Sequence, residues 1–289
     1  MMRRILYPLA FFAVAVLAAC GNHSASTDTA DTIVNQPVTL QNGVAILHDN
    51  DTFQVAAIQD VANEMALDLF IGSFDDTLLR QLLPTGSTPS AINAFMALTP
   101  SHTILFDAGL GSQAGGTLLQ KLELIGRTPA DVDAVCLTHL HGDHIGGLLK
   151  DGQAAFPNAT LYVSATESAA CVEGGALARM ADLWAGVQKA YSGRVVTFAD
   201  STQLFGGLVK TIPAPGHTPG HTLYLVGNCL MAGDIIHAQD LQLEHPDFCA
   251  RYDQDPKAAV PMRKHILDLV AQNGYLLCDA HCYDPFIKL

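Results

Sequence analysis

The most constraining stretch of this chain is Thr138-His139-Leu140-His141-Gly142-Asp143-His144-Ile145-Gly146-Gly147, which follows directly on the apolar run Val132 to Leu137. Three imidazoles and a carboxylate fall within six residues, and these are the groups that bind Zn²⁺ and related divalent ions at neutral pH. Spread along a helix or a strand, such groups would point to several faces. At the end of a buried strand they can turn into one cleft, so the run calls for a fold that opens a polar cleft where its strands end. A solvated turn has no need of so many histidines so close together.

The same arrangement recurs along the chain. Gly207 to Ile212 reads as a strand delivering Pro213-Ala214-Pro215-Gly216-His217-Thr218-Pro219-Gly220-His221, Cys229 to Ala232 ends in Gly233-Asp234, and Tyr275 to Cys278 ends in Asp279-Ala280-His281. Earlier, Ala91 to Leu98 and His102 to Phe106 read as a hairpin ending at Asp107-Ala108-Gly109, where a carboxylate can accept an imidazole N–H. Val38 to His48, Phe53 to Gln59, Thr160 to Val163, Arg194 to Phe198 and Thr222 to Val226 are further expected strands. The irregular segment 60–90, with a short helix Thr77 to Leu83, serves either as a lid or substrate wall or as peripheral packing. Leu118 to Ile125 is an expected helix stopped by Gly126, Leu148 to Phe156 a loop or short helix, and Thr166 to Ala190 helical with a break at Gly174-Gly175. Asp255-Pro256 opens a helix to Asn273 that Gly274 closes. This layout predicts two α/β halves with their strand ends meeting, without a short internal sequence repeat.

The N-terminus carries an address. Arg3 and Arg4 precede the apolar run Ile5 to Ala19, which is short for a membrane span and suited to a signal-peptide core. Its end, Leu17-Ala18-Ala19-Cys20-Gly21, resembles a bacterial lipobox. That resemblance implies that residues 1–20 are a lipoprotein signal peptide cleaved before Cys20, with a lipid anchor on the Cys20 sulfur and export to the outer membrane or periplasm. Residues 21–36, rich in Ser, Thr, Asp and Ala, read as a flexible tether, leaving 37–289 as the folded domain. A net charge of −13 repels nucleic acid and anionic lipid, so small neutral or apolar substrates are the expected partners. Six cysteines lie beyond Cys20; export permits disulfides, but Cys136 and Cys229 fall in apolar runs where a buried thiol is the commoner state.

Taken together, His139-x-His141-x-Asp143-His144, His217, Asp234 and His281 resemble the metallo-β-lactamase superfamily over roughly Phe53 to His281. The resemblance implies an α/β fold, a four-layer αβ/βα sandwich with its metal site on the edge between the halves. By the same resemblance two divalent metal ions, with Zn²⁺ the expected species, are bound: His139, His141 and His217 hold the first, Asp143, His144 and His281 the second, and Asp234 bridges them. Asp107 would support a neighbouring ligand, and His221 would be structural.

The implied activity is hydrolysis of lactone or ester bonds, with phosphotriesters as a possible side substrate. Asp143 and Asp234 would orient an ion-activated water. His237, three residues beyond Asp234, would contact substrate where acyl-homoserine lactonases of the superfamily carry a tyrosine. Zinc β-lactamases have Cys or Ser at the position of Asp234, which favours the methyl parathion hydrolase and quorum-quenching lactonase branch. Asp253-Gln254-Asp255-Pro256-Lys257-Ala258-Ala259 and Arg263 also resemble that branch. A shortened end, Cys282 to Leu289, departs from it. The alternatives are a β-lactam hydrolase and a lipoprotein that binds metal or ligand without turnover.

Overall fold

Runs such as Val55-Ala56-Ala57-Ile58, apolar at every position, can be satisfied only in a strand covered on both faces. All four of these side chains are fully buried. In the computed structural model, which describes residues 39–50, 53–71 and 76–289, they lie in the strand Phe53–Ala66 of a seven-stranded sheet. Its order is Val44–Asn50, Phe53–Ala66, Ser87–Leu98, Thr103–Phe106, Ala134–Cys136, Thr160–Ser164 and Val195–Phe198. Pairing is antiparallel up to Thr103–Phe106 and parallel beyond it. A six-stranded sheet follows, ordered Gln203–Leu204, Val209–Pro213, Thr222–Val226, Cys229–Gly233, Leu276–Asp279 and Ile287–Lys288.

Helices cover the outer face of each sheet. Trp184 and Val187 of the helix Ala181–Ala190, with Tyr191 just past it, join Leu105, Val135 and Leu161 of the first sheet in one apolar cluster. Ile266 and Val270 of the helix Pro256–Asn273 meet Leu223, Leu230 and Leu277 of the second. That helix starts where the sequence predicts: the Asp255 side chain accepts the Lys257 and Ala258 N–H groups, Pro256 occupies the first turn, and Gly274 ends it at φ 64°. Between the sheets Phe106 meets Tyr224 with ring centroids 5.5 Å apart, and the Tyr224 hydroxyl donates to the Leu137 carbonyl at 2.7 Å. The Asn93 amide closes one end, donating to the carbonyls of Asp279 and Cys282 at 3.2 and 2.7 Å. The result is the expected four-layer αβ/βα sandwich.

Local departures from expectation have local causes. The strand begun at Phe53 runs to Ala66, crossing a register shift between Gln59 and Val61. Residues 148–156 form a two-stranded hairpin, Leu149–Lys150 with Gln153–Ala154, instead of a loop or short helix. Thr166 to Ala190 divides into Ala165–Ala170, Ala178–Met180 and Ala181–Ala190. In the excursion after Ala66, Leu79 and Leu83 of the helical stretch pack with Phe70, Leu241 and Phe248, while Phe70–Ile71 pairs with Cys249–Ala250. This anchors the segment to the second half. Cys136, Cys171, Cys229, Cys249, Cys278 and Cys282 are free and buried. The expected signal peptide, lipobox and tether lie outside the described residues, and no helix among those described is long and apolar enough to cross a membrane.

Candidate metal centre

Parallel pairing brings the ligand-type residues to one edge. Phe106 stands beside Cys136 in register, so Asp107 and the Thr138–His144 run leave the first sheet together. Asp107, at a φ of 59°, accepts the Thr138 N–H at 2.8 Å, the Thr138 hydroxyl at 2.7 Å and Nδ1 of His144 at 2.9 Å. Gly147 then passes so close to the Ala108 carbonyl oxygen that any Cβ would collide with it. In the second sheet, Pro213 pairs with Thr222 across the loop that carries His217. Gly233 pairs with Asp279 in parallel, which delivers Asp234 and His281 side by side.

Seven ligand-type side chains converge between these loops. Nε2 of His139 lies 3.0 Å from Nδ1 of His141, and Nε2 of His217 lies 3.2 and 3.0 Å from the same two atoms. Oδ2 of Asp234 stands 3.1 Å from Nε2 of His217 and 3.1 Å from Nε2 of His281, while its Oδ1 stands 3.0 Å from Nε2 of His144. Asp143 completes the set, with Oδ2 at 3.8 Å from His144 and 3.7 Å from His281. The donor atoms of His139, His141, His217 and Asp234 lie within 4.8 Å of one another, as do those of Asp143, His144 and His281, those of Asp234, His237 and His281, and those of His217, His237 and Asp253.

Four of the five far nitrogens are fixed. His139 Nδ1 meets the Thr138 hydroxyl at 3.0 Å, His144 Nδ1 meets Asp107 at 2.9 Å, His217 Nδ1 meets Asp253 at 2.9 Å and His281 Nδ1 meets the Ala91 carbonyl at 2.8 Å. Donating Nδ1–H outward leaves Nε2 as a lone pair aimed inward, which is how metal-binding histidines are oriented. These residues fit divalent ions on three observations. Three imidazole nitrogens at 3.0–3.2 Å cannot all hydrogen-bond one another, and their spacing is close to the ~3.3 Å edge of a tetrahedron with Zn–N bonds of about 2.0 Å. Buried Nε2 of His144 and Oδ1 of Asp234 lack a hydrogen-bond partner among the described residues although 3.0 Å apart, a short approach without hydrogen-bond alignment. The donor set, all N and O, is one that divalent ions of the zinc type accept.

Electrostatics follow from a carboxylate buried among imidazoles. Burial pushes the Asp234 carboxyl up, but His281, His144 and His139 around it outweigh burial and hold it well below the usual range. His139 is held well below the ordinary imidazole value by burial and then by His144, and His141 is lowered to about 4 by burial and His217. Burial also works against protonating His217 and His281, yet Asp234 beside both, with Asp253 at the first and Asp143 at the second, raises each to about 9.

Every residue expected as a ligand therefore reaches the cluster. His237 is 2% exposed, with both ring nitrogens unpartnered among the described residues. Its Nε2 is 3.3 Å from Asp234 and its ring stacks on His281 at 5.3 Å and 13°. Outside both ligand groups lies His221, whose Nε2 accepts the Asp234 N–H at 3.3 Å. Four residues escape the spacing argument. Asp253, 36 positions from His217, also bonds Arg263 at 3.0 Å and the Cys249 thiol at 2.9 Å. Glu167 is fully buried against the ligand loops. Tyr252, 49% exposed, sits 6.1 Å from the His237 ring. Only Asp253 and Arg263 carried any signal, as part of the segment resembling the lactonase branch.

The cluster opens into a cleft of about 1480 Å³ lined by His141, Asp143, Asp234, His237 and His281 together with Met65, Leu69, Ile92, Leu177, Met180 and Tyr252. Sandwich and cluster together are those of a metallohydrolase scaffold. Residues 87–271, more than half of the chain, match the metallo-beta-lactamase superfamily, and the chain belongs to it. The crystal structure of the hydrolase AbOPH, described as in the beta lactamase superfamily, is 30% identical, with a TM-score of 0.75 over 83% of this chain and 91% of that one. AidC, described as a dizinc quorum-quenching lactonase in complex with a product, shares the fold at 22% identity and a TM-score of 0.76, over 88% of this chain and 98% of AidC. Among curated relatives, the uncharacterized YobT of Bacillus subtilis (strain 168) is 29% identical over 50% of this chain and 62% of its own length. A hydroxyacylglutathione hydrolase of Photobacterium profundum is 27% identical over 47% of this chain and 43% of its own. The chain thus spans less than two thirds of the length of these curated relatives.

Proposed function

We propose that the chain is a metal-dependent hydrolase that binds two divalent ions and cleaves lactone or ester bonds of apolar substrates. The observation that carries this reading is the set of inward-facing donor atoms on His139, His141, Asp143, His144, His217, Asp234 and His281, with four far imidazole nitrogens anchored. His139, His141 and His217 hold the first ion, Asp143, His144 and His281 the second, and Asp234 is shared. Divalent ions bound here supply a water acidified toward neutrality and a Lewis acid for a carbonyl or phosphoryl oxygen.

The chain's own residues do the rest. Asp234, held ionised by the imidazoles, keeps the two ligand groups together and with Asp143 accepts hydrogen bonds that orient the attacking water. Burial holds His237 below the ordinary imidazole value, so it is neutral and keeps one N–H that the leaving oxygen can take as a hydrogen bond. Met65, Leu69, Ile92, Leu177 and Met180 along the cleft favour an apolar acyl group. The likeness in fold to the AidC lactonase, and the aspartate at position 234 where zinc β-lactamases have Cys or Ser, support lactone or ester substrates over β-lactams. The lipobox resemblance supports a chain exported and tethered through Cys20.

Purified protein assayed on a lactone and aryl-ester panel, with a β-lactam as comparison, is expected to hydrolyse the first two in a chelator-sensitive manner. Chelator-insensitive turnover, or none after loading with zinc or manganese, overturns the reading. Asp234→Ala is expected to bind one ion instead of two, read by metal analysis. Incorporation of labelled fatty acid in the wild type and its loss in Cys20→Ser tests the anchor.

A further inference from the structure

The two loops that carry His139, His141 and His217 come from different sheets, and one side chain joins them. Glu167, in the helix Ala165–Ala170, is fully buried. Its Oε1 accepts the Leu140 N–H at 3.0 Å, between His139 and His141. Its Oε2 accepts the Thr218 hydroxyl at 2.9 Å and the Gly220 N–H at 2.8 Å, just after His217. Gly220 lies so close to the backbone of Glu167 that a Cβ would collide with its nitrogen, so this approach is built into the loop. A carboxylate is an acceptor-only group with two oxygens, which suits three donors arriving from two sides.

We infer that Glu167 is a positioning residue that sets the distance between the His139/His141 pair and His217, and so fixes the affinity of one of the two ions. Among the described residues nothing comparable ties it to the other ligand group: Asp143 and His144 follow in the next turn, and His281 is held by the Ala91 carbonyl at 2.8 Å. The inference rests on the two-ion reading above. A carboxylate serving the fold alone would lower stability and leave the affinities of the two ions in their original ratio.

The test is a Zn²⁺ titration of metal-free full-length protein against a chromophoric chelator, for the wild type, Glu167→Gln and Thr218→Val. Glu167→Gln keeps the size of the side chain and replaces one acceptor oxygen by a donor. It is expected to weaken one binding step about 10- to 100-fold, as losing a support behind a ligand does, with the other step unchanged. Thr218→Val removes one donor of the three and is expected to weaken the same step by less, which keeps the test alive if the glutamine variant does not fold. Wild-type affinities for both ions in the variants, or an equal loss of both, overturn the inference while leaving the hydrolase reading intact. A wild type that takes up no Zn²⁺ overturns the hydrolase reading itself.

Discussion

His217 and His221 share one loop and nearly one dipeptide context, yet their imidazoles face opposite tasks. His217 has Nδ1 on Asp253 and Nε2 in the cluster, whereas His221 spends Nε2 on the Asp234 N–H and is pushed down to about 3 by burial. His221→Ala is therefore expected to retain both ions in metal analysis and to lose at least about 1–3 kcal/mol in urea unfolding, because the Asp234 N–H is stranded. Loss of an ion with unchanged stability would reverse the assignment. Tyr252 acts from the cleft wall: Tyr252→Ala is expected to raise KM about 2- to 12-fold with kcat little changed, matching the roughly 0.5–1.5 kcal/mol of an aromatic contact, and Tyr252→Phe to stay near wild type. A fall in kcat at constant KM would mean that the phenol acts on the reaction and not on binding. The clustered donor residues were legible because their chemistry is local, three histidines and an aspartate in one run. Glu167 and Tyr252 were not, and Asp253 only through the segment that resembles the lactonase branch, since what makes each matter is a neighbour brought close by folding, and a lone acid or tyrosine carries no spacing.

Strands and helices were legible where a local rule acted alone. Asp255-Pro256 and Gly274 marked the ends of their helix because cap and stop are written in adjacent residues, while the hairpin Leu149–Lys150/Gln153–Ala154 is too short to show a period. What holds that hairpin is tertiary. The Tyr191 hydroxyl, fully buried, donates to the Leu148 carbonyl at 3.0 Å and accepts the Phe156 N–H at 3.1 Å, pinning both feet of the hairpin to the end of the helix Ala181–Ala190. Burial raises this phenol to about 12, against about 10 in an unfolded chain. Above pH 10 the unfolded chain sheds a proton that the folded chain keeps, so this group's contribution to stability is whole below pH 10 and is lost as pH rises toward 12. Tyr191→Phe lacks that dependence. Denaturant unfolding is expected to show the variant less stable by about 1–3 kcal/mol at pH 8, from the stranded Phe156 N–H, with the gap narrowing as pH passes 10. A gap constant to pH 12 would place the phenol outside the linkage.

At the scale of the whole molecule the cluster of ligand-type residues lies across the seam between the sheets. His139 and His141 come from the first sheet's edge, His217 and Asp234 from the second's, so an ion held by all of them binds only when both halves are folded and joined. Ions that bind the folded chain alone stabilise it by RT ln(1 + [L]/Kd), about 4.1 kcal/mol at a free concentration 1,000 times Kd. For a domain of this size 1 kcal/mol moves Tm by about 2–4 °C. Stripping one such ion is thus expected to lower Tm by roughly 8–16 °C, and restoring zinc to recover it, in thermal melts followed by circular dichroism. The dependence should be graded with free zinc, because mass action sets it. Asp234→Ala, which leaves one group of ligands without its shared carboxylate, should show a smaller chelator-induced shift than the wild type. A Tm indifferent to chelator in a protein that metal analysis shows to be loaded would mean that the two sheets are held together by the contacts of Tyr224 and Asn93 and their neighbours, with the ions adding nothing to the joint.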